Sequence, residues 1–443
     1  MGSDGDVQDR SRRSVLQRVR YRSSALVRIC HLSWEYPPVV YGGLGRHVFA
    51  IAREQARAGH KVVVISHVGI DTDDGTALPS DEVLDGVRVI RVVRDAPFVP
   101  FDAETLMGWI GGLASAMTRA GLELGKNWSA DVVHAHDWLT AHAGAMVARA
   151  WGVPWVHTIH ATEAGRHQGW LPGALSRAIH SIEGWSVHEA DRVLVCSEHM
   201  KWEVDRLFGM AGAVVIPNGV DASAALVDAG LRDEIRSRYS GPLIVHTGRL
   251  EWEKGAHTII EALPRIKKFA PDVECVVAGR GSQSTSLVDL AKRKRVASRV
   301  HVDGWLPEAQ LRALVAAADV AIVPSIYEPF GIVALEAASV GTPVVAARSG
   351  GLIEFLNDDA HGWGFTAGDS ADLASSVRAA LDDPAEAKRR ADDALDHVRR
   401  HHSWAVIAGR TVQAYSCDSK AKSSGTWSYG ITSPERNLLF DVR

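Results

Sequence analysis

Short apolar runs of six to eight residues alternate with longer helical patterns along most of the chain, and they do so in two series. The first contains LVRICHLS (26–33), HKVVVISH (60–67), GVRVIRVV (86–93), DVVHAH (131–136), PWVHTIH (154–160) and RVLVCS (192–197); GLGRHVFAIAREQARAG (43–59) reads as a helix between the first two. The second contains PLIVHTG (242–248), VECVVAG (273–279), RVHVDG (299–304), VAIVPS (320–325) and TPVVAA (342–347). Strands separated by helices form parallel sheets covered on both faces. At 443 residues the chain exceeds one ordinary core, so the pattern predicts two doubly wound α/β domains facing a cleft. Turn-rich IPNGVD (216–221) and SRYSGP (237–242) divide the series. The expected domains span 26–225 and 226–402. A basic arm precedes them (1–25), and an aperiodic tail follows (418–443).

The rest of the sequence excludes several classes. A net charge of −4 gives no electrostatic reason for a nucleic-acid partner. SRRSVLQ (11–17) resembles a twin-arginine export motif, but RVRYRSS follows where an apolar segment is required, so export is not expected. No apolar run approaches the roughly 18 residues that span a bilayer. Cys30, Cys196, Cys275 and Cys417 show no C-x-x-C spacing, and three lie in strand-like runs, as buried free thiols would. A cytoplasmic location follows as the expectation.

Ligands of doubly wound sheets sit at the carboxyl ends of strands, and the unusual residues cluster there. In HTGRLEWEKG (246–255), Arg249 and Lys254 lie five apart across a turn and could converge on one anion. Equally, they could be solvated partners of Glu251 and Glu253. GGLG (42–45) opens a helix where Gly43, Leu44 and Gly45 could present backbone amides to an anion, or simply make a tight turn. AGRGS, with Gly279, is a weaker glycine loop. VHAHDW (133–138) and HTIHATEAGRH (157–167) end two strands, and His160 stands where a ligand should lie. His134 and His136 lack the accompanying cysteines or carboxylates of a metal site, so no metal is assigned. DTDD (71–74) reads as a solvated loop. In PSIYEPFGIVALEAASVGTPVV (324–345), Glu328 precedes a helix starting near Phe330 and Glu336 follows two turns later. Carboxylates accept hydrogen bonds from hydroxyl-rich ligands, and an acid inside IVALEAASV is costly to bury alone. Capping and a core-edge acid are the structural alternatives.

Taken together, these motifs resemble the retaining GT-B glycosyltransferases of family 4, glycogen synthase-like α-glucan enzymes among them, from about residue 27 to about 415. EPFGIVALE looks like that family's E-x7-E motif; GRLEWEKG and the GTPVV…GGLIE run support it. The resemblance implies that Arg249 and Lys254 bind the donor diphosphate, that Glu328 contacts the donor sugar and that Glu336 contacts the ribose. Amides of Phe330, Gly331, Ile332 and Val333 would hold sugar and phosphate, and the Gly43–Leu44–Gly45 loop and Gly279 would line the donor. His160 would lie beside the transferred sugar, with Tyr41, Asp137, Trp138, Glu163 and Arg166 on the acceptor side. The helix over 403–417 would cross back to the first domain, as the family's last helix does. The implied reaction is metal-independent transfer without a cofactor: a hexose, expected to be glucose from ADP- or UDP-glucose, passes to a saccharide or sugar phosphate with its α configuration retained. SWEYPPVVYGGLGRHV (33–48) and HATEAGRHQGW (160–170) are similar to bacterial α-1,4-glucosyltransferases. Tyr41 departs from the lysine of bacterial glycogen synthases, so glycogen elongation and an ADP-glucose donor do not follow from the match. A different donor with a small inositol-like acceptor, and a non-catalytic sugar-nucleotide sensor, stay open as alternatives. Self-association is also open.

Overall fold

The computed structural model describes residues 26–68, 78–221 and 227–416. The basic arm, DTDD, Cys417 and the tail lie outside them. Two units emerge: one holds the described residues up to Val195, Lys201–Ile216 and those from Ile407 on; the other holds Cys196–Met200 and Pro217–Val406.

In the first unit the strands are β1 (Arg28–Ser33), β2 (Lys61–His67), β3 (Asp81–Leu84), β4 (Val87–Val92), β5 (Val132–His136), β6 (Trp155–Ile159), β7 (Arg192–Val195) and β8 (Val214–Val215). They form one sheet in the order β3-β4-β2-β1-β5-β6-β7-β8, parallel apart from β3 on β4. In the second unit β9 (Leu243–Thr247), β10 (Glu274–Ala278), β11 (Val300–Gly304), β12 (Val320–Val323), β13 (Val344–Ala347) and β14 (Trp363–Phe365) form a fully parallel sheet ordered β11-β10-β9-β12-β13-β14. Strands β5, β6, β9, β12 and β13 are buried at every position, as central parallel strands sandwiched by helices must be. On one face of the second sheet Ile244, Val277 and Ile322 pack with Ile259, Leu263 and Phe365; on the other Val245, Val276 and Val323 pack with Leu335, Phe355 and Val398.

Three strands escape sequence patterning. β3 is a half-exposed edge strand joined to β4 by Asp85-Gly86, both at positive φ (51° and 84°), the hairpin signal of an Asp-Gly pair. β8 and β14 have two and three residues, too few to show a period. The helix expected near Phe330 begins at Ile332, because Gly331 adopts φ 103° and breaks the turn before it. Among the described residues no helix is long and apolar enough to cross a membrane, and Cys30, Cys196 and Cys275 are buried free thiols.

Strand order locates the crevices. The first sheet reverses direction between β1 and β5, the second between β9 and β12. Loops leaving the carboxyl ends of such a pair diverge to opposite faces and leave room for a ligand.

Candidate active site

In the second unit the loops after β9 and β12 meet. Lys254, last residue of the short 3-10 turn Trp252–Lys254, places Nζ 2.8 Å from Oε2 of Glu328. Ser325 donates to the same oxygen at 2.9 Å. The backbone fixes this junction: the amide of Ile326 donates to the carbonyl of Glu253 at 2.8 Å, and that of Gly351 to the carbonyl of Glu328 at 2.9 Å. Both charged side chains are mostly buried, at 20% and 11% exposure. His246, at the core of β9, feels both charges. Burial pushes its pKa down to about 4; Lys254 adds to that, and Glu328 opposes it.

Gly255 makes the close approach possible. It sits at φ 72°, and a Cβ there would come within 2.0 Å of the carbonyl oxygen of Pro324. Gly255→Val is therefore expected to lower the melting temperature by several degrees and to displace Lys254, with transfer lost; thermal unfolding monitored by circular dichroism checks the first half.

Arg249 lies five residues before Lys254, pairs with Glu253 at 3.2 Å and keeps 45% of its side chain exposed. The solvated-pair alternative is thus realised for Glu253 and not for Glu251, whose carboxylate takes the amide and hydroxyl of Ser282 in the glycine loop after β10. Exposed pairs contribute little, so Arg249 can exchange Glu253 for a stronger anion. Gly279 packs that loop on β9: a Cβ would meet the carbonyl of Gly248 at 1.8 Å, at a φ of 153°. Its role in the structure is close packing of two backbones.

Along the Ile332–Ser339 helix, Ile332, Val333 and Glu336 are half-buried while Ala334, Leu335, Ala337, Ala338 and Ser339 are buried. These three share one face of the helix. Glu336 is therefore not a fully buried acid, and the burial argument made from sequence does not apply to it. Phe330 is half-buried against the His402 ring, 5.9 Å away between centroids.

In the first unit the β1 and β5 loops carry the other predicted residues. The GGLG turn opens the Gly43–Arg57 helix, but an internal anion already sits there. Glu35 accepts from the amides of Tyr41 at 2.5 Å and Gly42 at 3.0 Å. A Cβ on Gly45 would lie 2.9 Å from that carboxylate. Burial raises the Glu35 pKa, and the amides of Tyr41, Gly42 and Gly45 pull it back. Only the Gly43–Leu44 end of the turn is left for a ligand role. Glu35 was not singled out in the sequence, although it lies in SWEYPP two residues beyond β1.

Asp137 caps β5 at φ 58°, buried, and accepts from the amide of His160 at 2.8 Å. Burial pushes its pKa up to about 6, with the His160 amide and the Arg166 charge opposing. Trp138 begins the next helix and is half-buried. His160 follows β6 with Nε2 3.2 Å from Nδ1 of His136. Glu163 is engaged locally, accepting from Ser176 at 2.6 Å and facing His167 Nε2 at 3.1 Å. Arg166 is exposed, and its charge bears on both Asp137 and His160. Tyr41, 41% exposed, stacks on Trp34 at 5.0 Å, and Trp34 stacks on Phe101 at 6.3 Å, the planes within 12° and 11°.

The family profile described as Glycosyltransferase Family 4 matches residues 41–224, and the one described as Glycosyl transferases group 1 matches residues 228–396. The chain is 45% identical over 397 residues to a protein of Mycobacterium tuberculosis named glycogen synthase, covering 88% of this chain and 94% of that one. It is 30% identical to the D-inositol 3-phosphate glycosyltransferase of Xylanimonas cellulosilytica, covering 86% and 93%. Among solved structures, sucrose-phosphate synthase from Thermosynechococcus elongatus shares the fold at a TM-score of 0.75 and 23% identity, covering 88% and 98%. With both halves matched by glycosyltransferase profiles and nearly the full length aligned to relatives at 30% identity or above, the chain belongs to the family 4 glycosyltransferases of the GT-B fold.

Proposed function

We infer that the protein transfers glucose from a nucleoside diphosphate glucose to a saccharide or sugar-phosphate acceptor, forming an α-glycosidic bond with retention. The observation that carries this reading is the Lys254–Glu328 pair, joined across the switch point of the second sheet with Arg249 beside it. Two cations at one strand end suit a diphosphate, and a carboxylate held in place by Lys254 and Ser325 suits the hydroxyls of the sugar. The half-buried face of Ile332, Val333 and Glu336 supplies the remainder of the donor site, with first-turn amides aimed at anionic or hydroxyl oxygens.

In the step proposed, the acceptor hydroxyl oxygen bonds to the anomeric carbon while the bond from that carbon to the diphosphate oxygen breaks. The electron pair stays on the departing diphosphate, which takes the acceptor proton. Arg249 and Lys254 stabilise the growing negative charge, which is where most of the rate enhancement arises in a site of this kind. His160 meets the transferred sugar, with Asp137 fixing its backbone, and Trp138, Glu163 and Arg166 belong to the acceptor side. The parallel Tyr41–Trp34–Phe101 rings favour a saccharide acceptor, since flat aromatic faces stack on the apolar faces of pyranose rings. Three buried thiols suit a reducing cytoplasm.

No cofactor or metal enters this reading, so activity is expected to survive dialysis against EDTA unchanged; strict Mn2+ or Zn2+ dependence contradicts it. A screen of ADP-, UDP- and GDP-sugars against glucose, glucose 1-phosphate, maltooligosaccharides and an inositol phosphate tests the assignment. Glucosylated product from a nucleotide glucose is expected. Product only with an inositol-type acceptor favours the second reading, a small-molecule transferase, which the 30% identity to the inositol phosphate enzyme supports.

A further inference from the structure

The second unit includes a short segment that the transfer step leaves unused, Cys196–Met200, where β7 has ended and the Glu198–Phe208 helix begins. Ser197 is fully buried there. Its hydroxyl oxygen accepts from the amide of Met200 at 3.0 Å, the bond that a helix-capping side chain makes. A cap uses only the lone pair. The hydroxyl proton goes instead to the carbonyl of Pro329, 2.6 Å away, in the turn between Glu328 and the Ile332–Ser339 helix. The Cys196 thiol, a weak donor, lies 3.6 Å from the same oxygen. The segment is itself held in place, because Glu354 accepts from the amides of Glu198 at 3.2 Å and His199 at 3.0 Å.

A trans peptide unit is planar, so its carbonyl and its N–H point in opposite directions. The unit whose oxygen Ser197 holds is the one whose nitrogen belongs to Phe330. Turning it over requires rotation about Pro329 ψ and Phe330 φ, since the proline ring fixes its own φ. The preceding carbonyl, that of Glu328, is tied to the Gly351 amide at 2.9 Å. Gly351 packs so closely that a Cβ there would lie 2.6 Å from Phe330 Cα and 2.7 Å from the Pro329 oxygen. Ser197 and Gly351 thus both hold the carbonyl side of the turn. The amides of Phe330 and Gly331 have no acceptor among the described residues. An amide with no protein acceptor is available to a ligand oxygen.

We infer that Ser197 is a positioning residue for the donor: by holding the Pro329 carbonyl it keeps the Phe330 amide turned toward an oxygen of the bound nucleoside diphosphate sugar. The identity of that ligand rests on the function proposed above; the bond that turns the amide does not. Without the hydroxyl the peptide is free to rotate and to set its own oxygen against the ligand, which exchanges a hydrogen bond for a repulsion, and the Cys196 thiol is too weak a donor to prevent it.

Calorimetric titration of UDP-glucose and ADP-glucose into the wild-type chain, Ser197→Ala and Ser197→Thr tests this. Threonine keeps the hydroxyl for both bonds, and alanine makes neither. For the nucleotide sugar that binds the wild type, Kd should rise about tenfold in Ser197→Ala and stay within about threefold in Ser197→Thr. A capping role alone predicts that Ser197→Ala melts earlier yet binds as tightly as wild type, and that result overturns the proposal. Equal weakening in both variants makes the effect one of packing and overturns it too. Should the wild type bind neither nucleotide sugar, the donor reading falls and this inference with it; wild-type binding that Ser197→Ala leaves unchanged removes the inference alone. If neither variant folds, amide spectra of the wild-type chain labelled with 15N-phenylalanine decide, with Phe330 assigned by its absence from Phe330→Leu. Its amide proton should move downfield when the nucleotide sugar is added, and a resonance that stays in place overturns the proposal.

Discussion

Glu328→Gln is expected to reduce turnover by about two to three orders of magnitude while the protein remains folded. The substitution preserves shape and leaves Ser325 and Lys254 in place, but it removes the charge that pairs with the lysine and that, in the proposed donor site, would accept from sugar hydroxyls. Lys254→Ala is expected to abolish transfer at least as completely, since on the proposed reading it removes a cation from the leaving diphosphate. It should also melt earlier than Glu328→Gln. Taking one partner from a fully buried ion pair costs about 3–5 kcal/mol, and the residual 20% and 11% exposure here makes the loss smaller. Steady-state rates with circular dichroism melts separate the two effects. Turnover near wild type in either variant removes the assigned site.

A steep loss of stability in mild acid is the second large effect. In the first unit burial depresses the pKa of nine histidines: His31, His67, His160 and His180 to about 4, His157 to about 3, and His60, His134, His136 and His142 below the ordinary value. Folded, they stay neutral where the unfolded chain takes up protons. Their stabilising contribution is whole above pH 6.5 and is lost as the pH falls toward 4. Three carboxyls act the other way: burial raises Glu35, Asp137 and Glu183, so the folded chain keeps protons the unfolded chain has released, and stability from them returns as the pH falls. The histidines outnumber the carboxyls, so stability should drop between pH 6.5 and 4 by about 1.4 kcal/mol per pH unit for each net proton. Melting temperatures at pH 7.5, 6.0 and 5.0 should fall in that order. A flat or rising series would mean that these rings are charged or solvent-accessible.

The central strands of both units were legible as short, mainly apolar runs between helical patterns, whereas β3, β8 and β14 were not. The Lys254–Glu328 contact was legible in type but not in geometry. Arg249 and Lys254 announce themselves by spacing, whereas Ser325 becomes part of the site only once the β12 loop folds back on the carbonyl of Glu253. Glu35 was hidden because its partners are backbone amides, which no residue pattern displays. Gln55 and Tyr415 meet across 360 positions of chain, a separation that local reading does not bridge. Glu336 misled in one respect: an acid amid IVALEAASV looks buried, yet it occupies the one half-buried face of its helix.

The central claim is that Arg249, Lys254, Glu328 and Glu336 surround one nucleoside diphosphate sugar on the second unit. Calorimetric titration of ADP and UDP into the wild-type chain and into Arg249→Ala, Lys254→Ala and Glu336→Gln measures that most directly. Saturable binding of at least one nucleotide is expected, weakened about tenfold or more by each cation removal and to a smaller degree by Glu336→Gln. Binding that is equally tight in all four proteins would contradict the claim.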